Sequence, residues 1–206
     1  MTKTMFSPCG SGRVAVVLAT LAAAGLLSGC GGADGPASRP EAIAFAMSAT
    51  YPSALPVQYR KTEVIDPTGE TPGTIVIDTS QRYLYLVQPD GKALRYGVGV
   101  GKEGFGWTGE ANVQNKQEWP DWVPPPEMLE RRPDLPLRMS GGPENPLGAR
   151  AMYLWKDGKD TLFRIHGTNE PLTIGKAMSS GCIRMINFDV EDLYERVPLG
   201  ARVVVR

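Results

Sequence analysis

The chain predicts a mainly β domain with short helices and one long, loop-rich insertion. Three observations carry this expectation. Runs of β-branched and aromatic residues recur between turn signals; 24 glycines and 18 prolines among 206 residues are too many for a helical bundle; and one stretch, residues 187–197, shows sustained helical spacing of its apolar side chains. With 206 residues and 42% hydrophobic content, the chain is long enough for one well-cored domain with tails.

Residues 1–29 read as an export signal. Lys3 and Arg13 make a positive start, and residues 14–27 (VAVVLATLAAAGLL) form an apolar run of 14, too short with these flanks to span a bilayer. Leu27-Ser28-Gly29-Cys30 resembles a bacterial lipobox, whose cysteine is lipidated and becomes the first mature residue; ordinary cleavage, with Cys30 free or lost, is the alternative. Gly31, not an aspartate, follows Cys30, which by resemblance to bacterial sorting rules favours the outer membrane over the inner. Residues 30–72 read as a tether, rich in Gly, Pro, Ser and Ala at its start. Residues 42–47 allow a short helical turn, and Pro52, Pro56 and Pro67 forbid anything longer, so the arm lies on the domain or stays mobile.

Ordered structure is expected from Gly73. Residues 74–79 (TIVIDT) and 82–88 (RYLYLVQ) read as strands joined at Ser80 and Gln81, with Leu84 and Leu86 on one face and Tyr83, Tyr85 and Val87 on the other. Past the Pro89-Asp90-Gly91 turn, residues 92–100 form a third strand whose glycines signal a bulge or a close backbone approach. Residues 101–147 then read as a loop-rich insertion with Trp107, Trp119, Trp122, a run of prolines at 124–126, and helix only at 128–132. A loop of that length points to function, its tryptophans either walling a groove or stapling the loop to the sheet. Residues 151–155 and 161–165 make a hairpin that delivers His166 at a strand end. A short helix is expected at 174–178. Asn187 then caps an amphipathic helix through Val190, Leu193, Tyr194 and Val197, Pro198 and Gly200 stop it, and residues 201–205 close as a strand.

Lys and Arg number 22 against 22 Asp and Glu, and removal of the signal takes away Lys3 and Arg13 with no acid, so nothing favours a nucleic-acid partner. Export also sharpens the cysteine count: Cys9 leaves with the signal, Cys30 is the anchor candidate, and Cys182 is left unpaired in an oxidising compartment. A free thiol there is a liability unless it is buried or used. His166, the one histidine, precedes Cys182 by 16 positions, with Gly167, Gly175 and Gly181 between them. A thiol of ordinary pKa about 8.5 becomes a good nucleophile only beside an imidazole or aligned backbone dipoles. An imidazole near pKa 6.5 takes that proton and returns it to a leaving amine. Gly181 permits the tight turn that exposes sulfur and aims N–H groups at an oxyanion, while a backbone carbonyl near Gly167 can hold the imidazole tautomer. Singly, His166 reads as a hydrogen-bonded core histidine and Cys182 as an inert buried thiol. Jointly they point to nucleophilic catalysis. One histidine and one cysteine do not supply the usual zinc ligands, so neither a metal nor another cofactor is expected.

HGT at 166–168 and SSGCIRM at 179–185, with GGPENPLGARAMYL at 141–154 and DLYERVPLGARVVV at 192–205, resemble the L,D-transpeptidases, the YkuD-type catalytic domain of bacterial cell-wall enzymes, in the ErfK/YbiS/YcfS/YnhG-like subgroup. The likeness covers roughly residues 73–206 and implies a β-sandwich with short helices and a cysteine under a loop lid. It implies that Cys182 attacks the L-centre carbonyl of meso-diaminopimelate in a peptidoglycan stem, expels D-alanine and forms a thioester. An amine of a second stem then resolves it into a 3→3 cross-link, or a lipoprotein's lysine does so. His166 serves as base and acid, the N–H groups of Gly181 and Cys182 as oxyanion donors, Gly167 as a neighbour of the base, and Arg184 orders the loop or meets a substrate carboxylate. Ser179, Ser180, Thr168, Asn169, Trp107 and Trp122 are the candidate substrate contacts. Many members carry histidine directly before Gly-Cys where this chain has Ser180, which leaves His166 as the single base. An L,D-carboxypeptidase using water on the same site, and an inactive wall-binding lipoprotein, are the competing expectations. The protein is expected in the periplasm, held to the outer membrane by lipid on Cys30.

Overall fold

The structure, a computed structural model, describes residues 51–206. The expected export signal, Cys30 and the first part of the expected tether lie outside the described residues. Strands β1 (Thr62–Ile65), β2 (Ile75–Asp78), β3 (Tyr83–Val87) and β4 (Lys92–Gly97) form an antiparallel set in which β3 lies between β2 and β4, and β4 carries β1 on its outer edge. After a two-residue β5 (Val100–Gly101), the long β6 (Gly109–Glu118), β7 (Arg150–Lys156) and β8 (Lys159–His166) form a second meander, with a helix α1 (Pro126–Arg131) between β6 and β7. β9 (Ala177–Ser179) pairs with β5, β10 (Ile183–Arg184) runs parallel to β8, helix α2 (Asn187–Arg196) follows, and β11 (Arg202–Val205) ends the chain.

β11 joins the halves. It lies parallel to β2, with Val204 opposite Val76, and antiparallel to β6, with Val203 opposite Ala111, making one sheet of nine strands in the order β1-β4-β3-β2-β11-β6-β7-β8-β10. Alternation then sorts the side chains. Ile75, Ile77, Leu84, Leu86 and Tyr96 from one half meet Met152, Leu154, Ile165 and Ile183 from the other in a single core, sealed by Val190, Leu193 and Val197 of α2. Since both ends of the sheet feed one core, it curls over itself as a sandwich does. Burial of each such aliphatic side chain contributes about 1.5–3 kcal/mol. The opposite face of the first meander is also buried, at Val76, Tyr85, Val87 and Ala93.

Five expectations need correction. Order begins before Gly73: β1 is laddered to β4, and Leu55 is buried with Ile174 and Ile186. The strand's burial is slight and backbone pairing holds it, so its apolar pattern is weak. Residues 101–147 are not one insertion, because β6 occupies the middle of the sheet between β11 and β7. Only Ala111 and Val113 of its ten residues are buried, which hid it. The irregular segments are 102–108 and 119–149. The helix expected at 174–178 is a 3-10 turn at Pro171–Thr173 followed by β9, and the strand expected at 92–100 breaks after Gly97. A Cβ on Gly97 would stand 2.5 Å from the Cβ of Tyr59, so the chain leaves the ladder where another segment crosses it. Finally, Asn187 is the first residue of α2 and not its cap; Ile186 holds that place without a side-chain bond.

Candidate active site

β8 and β10 bring the two motifs together. Their parallel register sets Ile183 against Ile165 and Arg184 against His166, with Cys182 just before β10. Cys182 and His166 line one groove of about 660 Å³, shared with Ser179, Ser180, Asn169 and Arg184 and walled by Trp122, Met128 and Leu147 of the 119–149 segment. That segment lies where the resemblance leads one to expect the lid, and is called the lid below. Trp122 pairs with Met139 across its neck, and the buried Asn145 amide donates to the carbonyls of Pro120, Met139 and Ser140 at 2.9, 3.2 and 3.1 Å.

His166 is buried, and its Nδ1 lies 2.6 Å from the Gly167 carbonyl. A carbonyl only accepts, so Nδ1 carries the proton and Nε2 keeps its lone pair. Burial pushes the imidazole down to about 4, against the pull of the Gly167 carbonyl and with help from the Arg184 charge. Burial likewise raises the Cys182 thiol, opposed by the Arg164 backbone N–H and by the Arg164 and Arg184 charges. At neutral pH both groups are therefore uncharged, a thiol and a neutral imidazole that line one groove. The thiol sulfur lies 3.9 Å from the Leu162 carbonyl, and Leu162 holds a left-handed backbone (φ 62°) fixed by its N–H donating to Asp160 Oδ1. That kink in β8 was not legible as anything but strand.

The turn before the nucleophile is built from Ser179. Its hydroxyl donates to the Cys182 carbonyl at 2.6 Å and accepts the Gly181 N–H at 3.2 Å. The Gly181 N–H, read as an oxyanion donor, is thus occupied in this state. Gly181 itself is required: at φ 112° a Cβ would stand 2.5 Å from the Phe163 ring and 2.7 Å from the Phe105 carbonyl. Arg184 pairs with Glu170 at 3.0 Å. Asn169 donates to the Glu144 carbonyl at 2.8 Å and so ties the base loop to the lid. Thr168 is buried, its hydroxyl accepting from Glu170 N–H, and does not line the groove. Trp107 does not line it either; it stacks on Phe163 with ring centroids 5.2 Å apart, which staples the 102–108 loop to the sheet.

Sequence reasoning missed Asn187, whose carbonyl oxygen accepts the N–H groups of Ala149 and Thr168 at 3.1 and 3.0 Å. It sits where a Cβ on Gly148 or Gly167 would collide with it, so the two glycines and the asparagine form one joint between the lid end, the base loop and α2. It also missed Glu144 and Glu170, acids on the groove wall that no motif singled out. No cluster of three or more His, Cys, Asp or Glu suited to a metal occurs among the described residues.

The comparisons agree with this architecture. The family model for the L,D-transpeptidase catalytic domain (YkuD) matches residues 72–205. The probable L,D-transpeptidase ErfK/SrfK of Escherichia coli (strain K12) is 36% identical over 140 residues, which are 64% of this chain and 43% of that protein. The chain spans less than half the length of that relative. A solved chain described as a probable carnitine operon oxidoreductase, caia, from Brucella melitensis is 52% identical over 75% of this chain and 97% of its own, with a TM-score of 0.51. L,D-transpeptidase 3 from Mycobacterium tuberculosis, 17% identical over 65% of this chain and 60% of its own, shares the fold with a TM-score of 0.50.

Proposed function

This chain belongs to the L,D-transpeptidase family, and from that premise we propose that it is a cysteine acyltransferase forming 3→3 cross-links between peptidoglycan stems, or joining a lipoprotein to the wall. The observation that carries the reading is Cys182 and His166 in one lidded groove, with the imidazole proton pinned on Nδ1 and Nε2 left as the base.

In the first half-reaction Nε2 takes the thiol proton as sulfur attacks the L-centre carbonyl of a donor diaminopimelate. Backbone N–H groups at Cys182, and at Gly181 once it leaves Ser179 Oγ, hold the oxyanion. The intermediate collapses with loss of D-alanine, whose amine receives the proton from Nε2, and a thioester remains. In the second, the side-chain amine of another stem attacks the thioester, His166 takes its proton, and the thiol is restored. Burial suits this cycle: a neutral pair needs no charge until substrate is bound and water is displaced. Arg184 meets a substrate carboxylate, and Ser180 and Asn169 face the bound stem. The same reading takes the chain to be exported and lipidated on Cys30, with the reaction at the periplasmic face of the outer membrane; the apolar run at 14–27 and the lipobox-like Leu27-Ser28-Gly29-Cys30 support it.

Incubating the purified protein with diaminopimelate-containing muropeptides and identifying products by mass tests this reading. Cross-linked dimers are expected; trimmed monomers alone make the protein a hydrolase, and no turnover despite binding makes it a silent wall-binding module. Cys182→Ala must abolish the thioester and labelling by a carbapenem. Turnover that survives this change overturns the mechanism.

A further inference from the structure

β8 is irregular where it passes the nucleophile. Tyr153 lies opposite Arg164 and Trp155 opposite Asp160, so β8 uses two more residues than β7 between these pairs and bulges at 161–163. Inside the bulge Leu162 takes a left-handed backbone, φ 62°, which a residue with a side chain adopts only under constraint. Packing does not require it, since the Leu162 side chain is 75% exposed. What the kink presents is a carbonyl. The Leu162 oxygen lies 3.9 Å from Cys182 Sγ as acceptor of the thiol proton, and no thiol–imidazole hydrogen bond occurs among the described residues.

Two side chains hold the kink. Asp160 Oδ1 accepts the Leu162 N–H at 2.9 Å, and the same carboxylate takes both ends of the Arg164 guanidinium at 2.7 and 2.8 Å, with Arg164 laid over the Tyr153 ring. Thr161 Oγ1 donates to the Leu154 carbonyl at 2.6 Å and accepts the Phe163 N–H at 3.2 Å. The Leu162 and Phe163 N–H groups are thus satisfied by the side chains of Asp160 and Thr161, each two residues earlier. Bulges that re-aim a group are common beside active sites.

We propose that Asp160 and Thr161 are positioning residues for the nucleophile: they hold the Leu162 carbonyl against the resting thiol, which keeps Cys182 protonated until substrate enters the groove. A carbonyl accepts from a thiol and repels a thiolate, so its presence favours S–H over S⁻. With substrate bound, the thiol turns from Leu162 to His166 Nε2, which takes its proton as sulfur attacks. The charged and titratable groups around the sulfur are His166 and Arg164 on β8, Arg184 on β10 with its partner Glu170, and Arg132 and Glu144 on the lid. Arg164 and Arg184 favour the thiolate, and the Leu162 carbonyl opposes them in the empty groove. That Cys182 attacks a wall stem rests on the proposed function; that its proton is held by Leu162 does not.

The test is iodoacetamide alkylation of the full-length protein across pH, with the Cys182 peptide quantified by mass so that Cys9 and Cys30 do not contribute. Asp160→Ala and Thr161→Val, which release the kink, are expected to lower the alkylation midpoint of Cys182 by about half a pH unit, the low end of an ordinary hydrogen bond because a thiol is a weak donor. Asp160→Asn keeps an oxygen for the Leu162 N–H and holds the parent midpoint. Asparagine removes the same charge as alanine, so these two variants separate the kink from the loss of charge and of the Arg164 pair. Loosened packing alone does not make a thiol more acidic in one of them and not in the other. An unchanged or raised midpoint in both Asp160→Ala and Thr161→Val, or equal shifts in Asp160→Asn and Asp160→Ala, overturns the proposal. Muropeptide turnover is read separately on the parent: its absence defeats the transpeptidase reading, while the alkylation midpoints still decide the role of Asp160 and Thr161.

Discussion

Asn187 Oδ1 accepts the Thr168 N–H at 3.0 Å, and the same oxygen accepts the Ala149 N–H at 3.1 Å. One side chain at the start of α2 therefore fixes both the loop that follows the base and the end of the lid. Asn187→Ala leaves two backbone donors without an acceptor, a loss of about 2–6 kcal/mol at about 1–3 each. Asn187→Asp keeps the acceptor and loses much less. Urea denaturation and kcat/KM of both variants check this, and equal stability of the two would show the bonds to be unimportant.

Acylation should be tolerant of acid. The imidazole is held down at about 4 by burial, so it stays a competent base well below its ordinary 6.5. The rate of Cys182 acylation, measured as kcat/KM against pH, is expected to fall by half near pH 4 and not near 6.5. A midpoint at the ordinary value would mean that the base is solvated in the working enzyme.

Two buried groups oppose each other in the pH dependence of stability. His166 is depressed to about 4 from 6.5, so the unfolded chain binds more protons and stability falls as pH drops from 6.5 toward 4. Asp189, first through burial, is raised to about 7 from 3.8 while its Oδ1 accepts from Tyr51 at 2.6 Å. There the folded chain binds more protons, and stability rises as pH drops from 7 toward 3.8. Between about pH 6.5 and 4.5 the two slopes nearly cancel. Asp189→Asn removes one of them, so that variant alone should lose stability with acid across this window, read from thermal midpoints.

The lid depends on Asn145. Asn145→Ala strips the shared donor from three carbonyls at the neck. KM for the stem peptide should rise about tenfold as the lid loosens, while alkylation of Cys182 by a small thiol reagent is unchanged or faster. Slower alkylation would place the damage at the nucleophile and not at the lid.

The sequence by itself determined which residues are the candidates for the chemistry. With one histidine in the chain and one cysteine beyond residue 30, scarcity named His166 and Cys182, and Gly181 marked the turn before the candidate nucleophile. Strands with alternating apolar residues, such as β2 and β3, were legible for the same physical reason, since each side chain's face follows from the two-residue period. Only the tertiary structure decided the rest. β6 is central yet mostly polar, because its neighbours supply the ladder and only two of its side chains reach the core. Asn187 looked like a helix cap because its neighbours in sequence are helical, and it acts on backbone groups 19 and 38 residues away. Trp107 looked like a groove wall and is a staple, because what an aromatic ring packs against is set by segments that meet only in the folded chain.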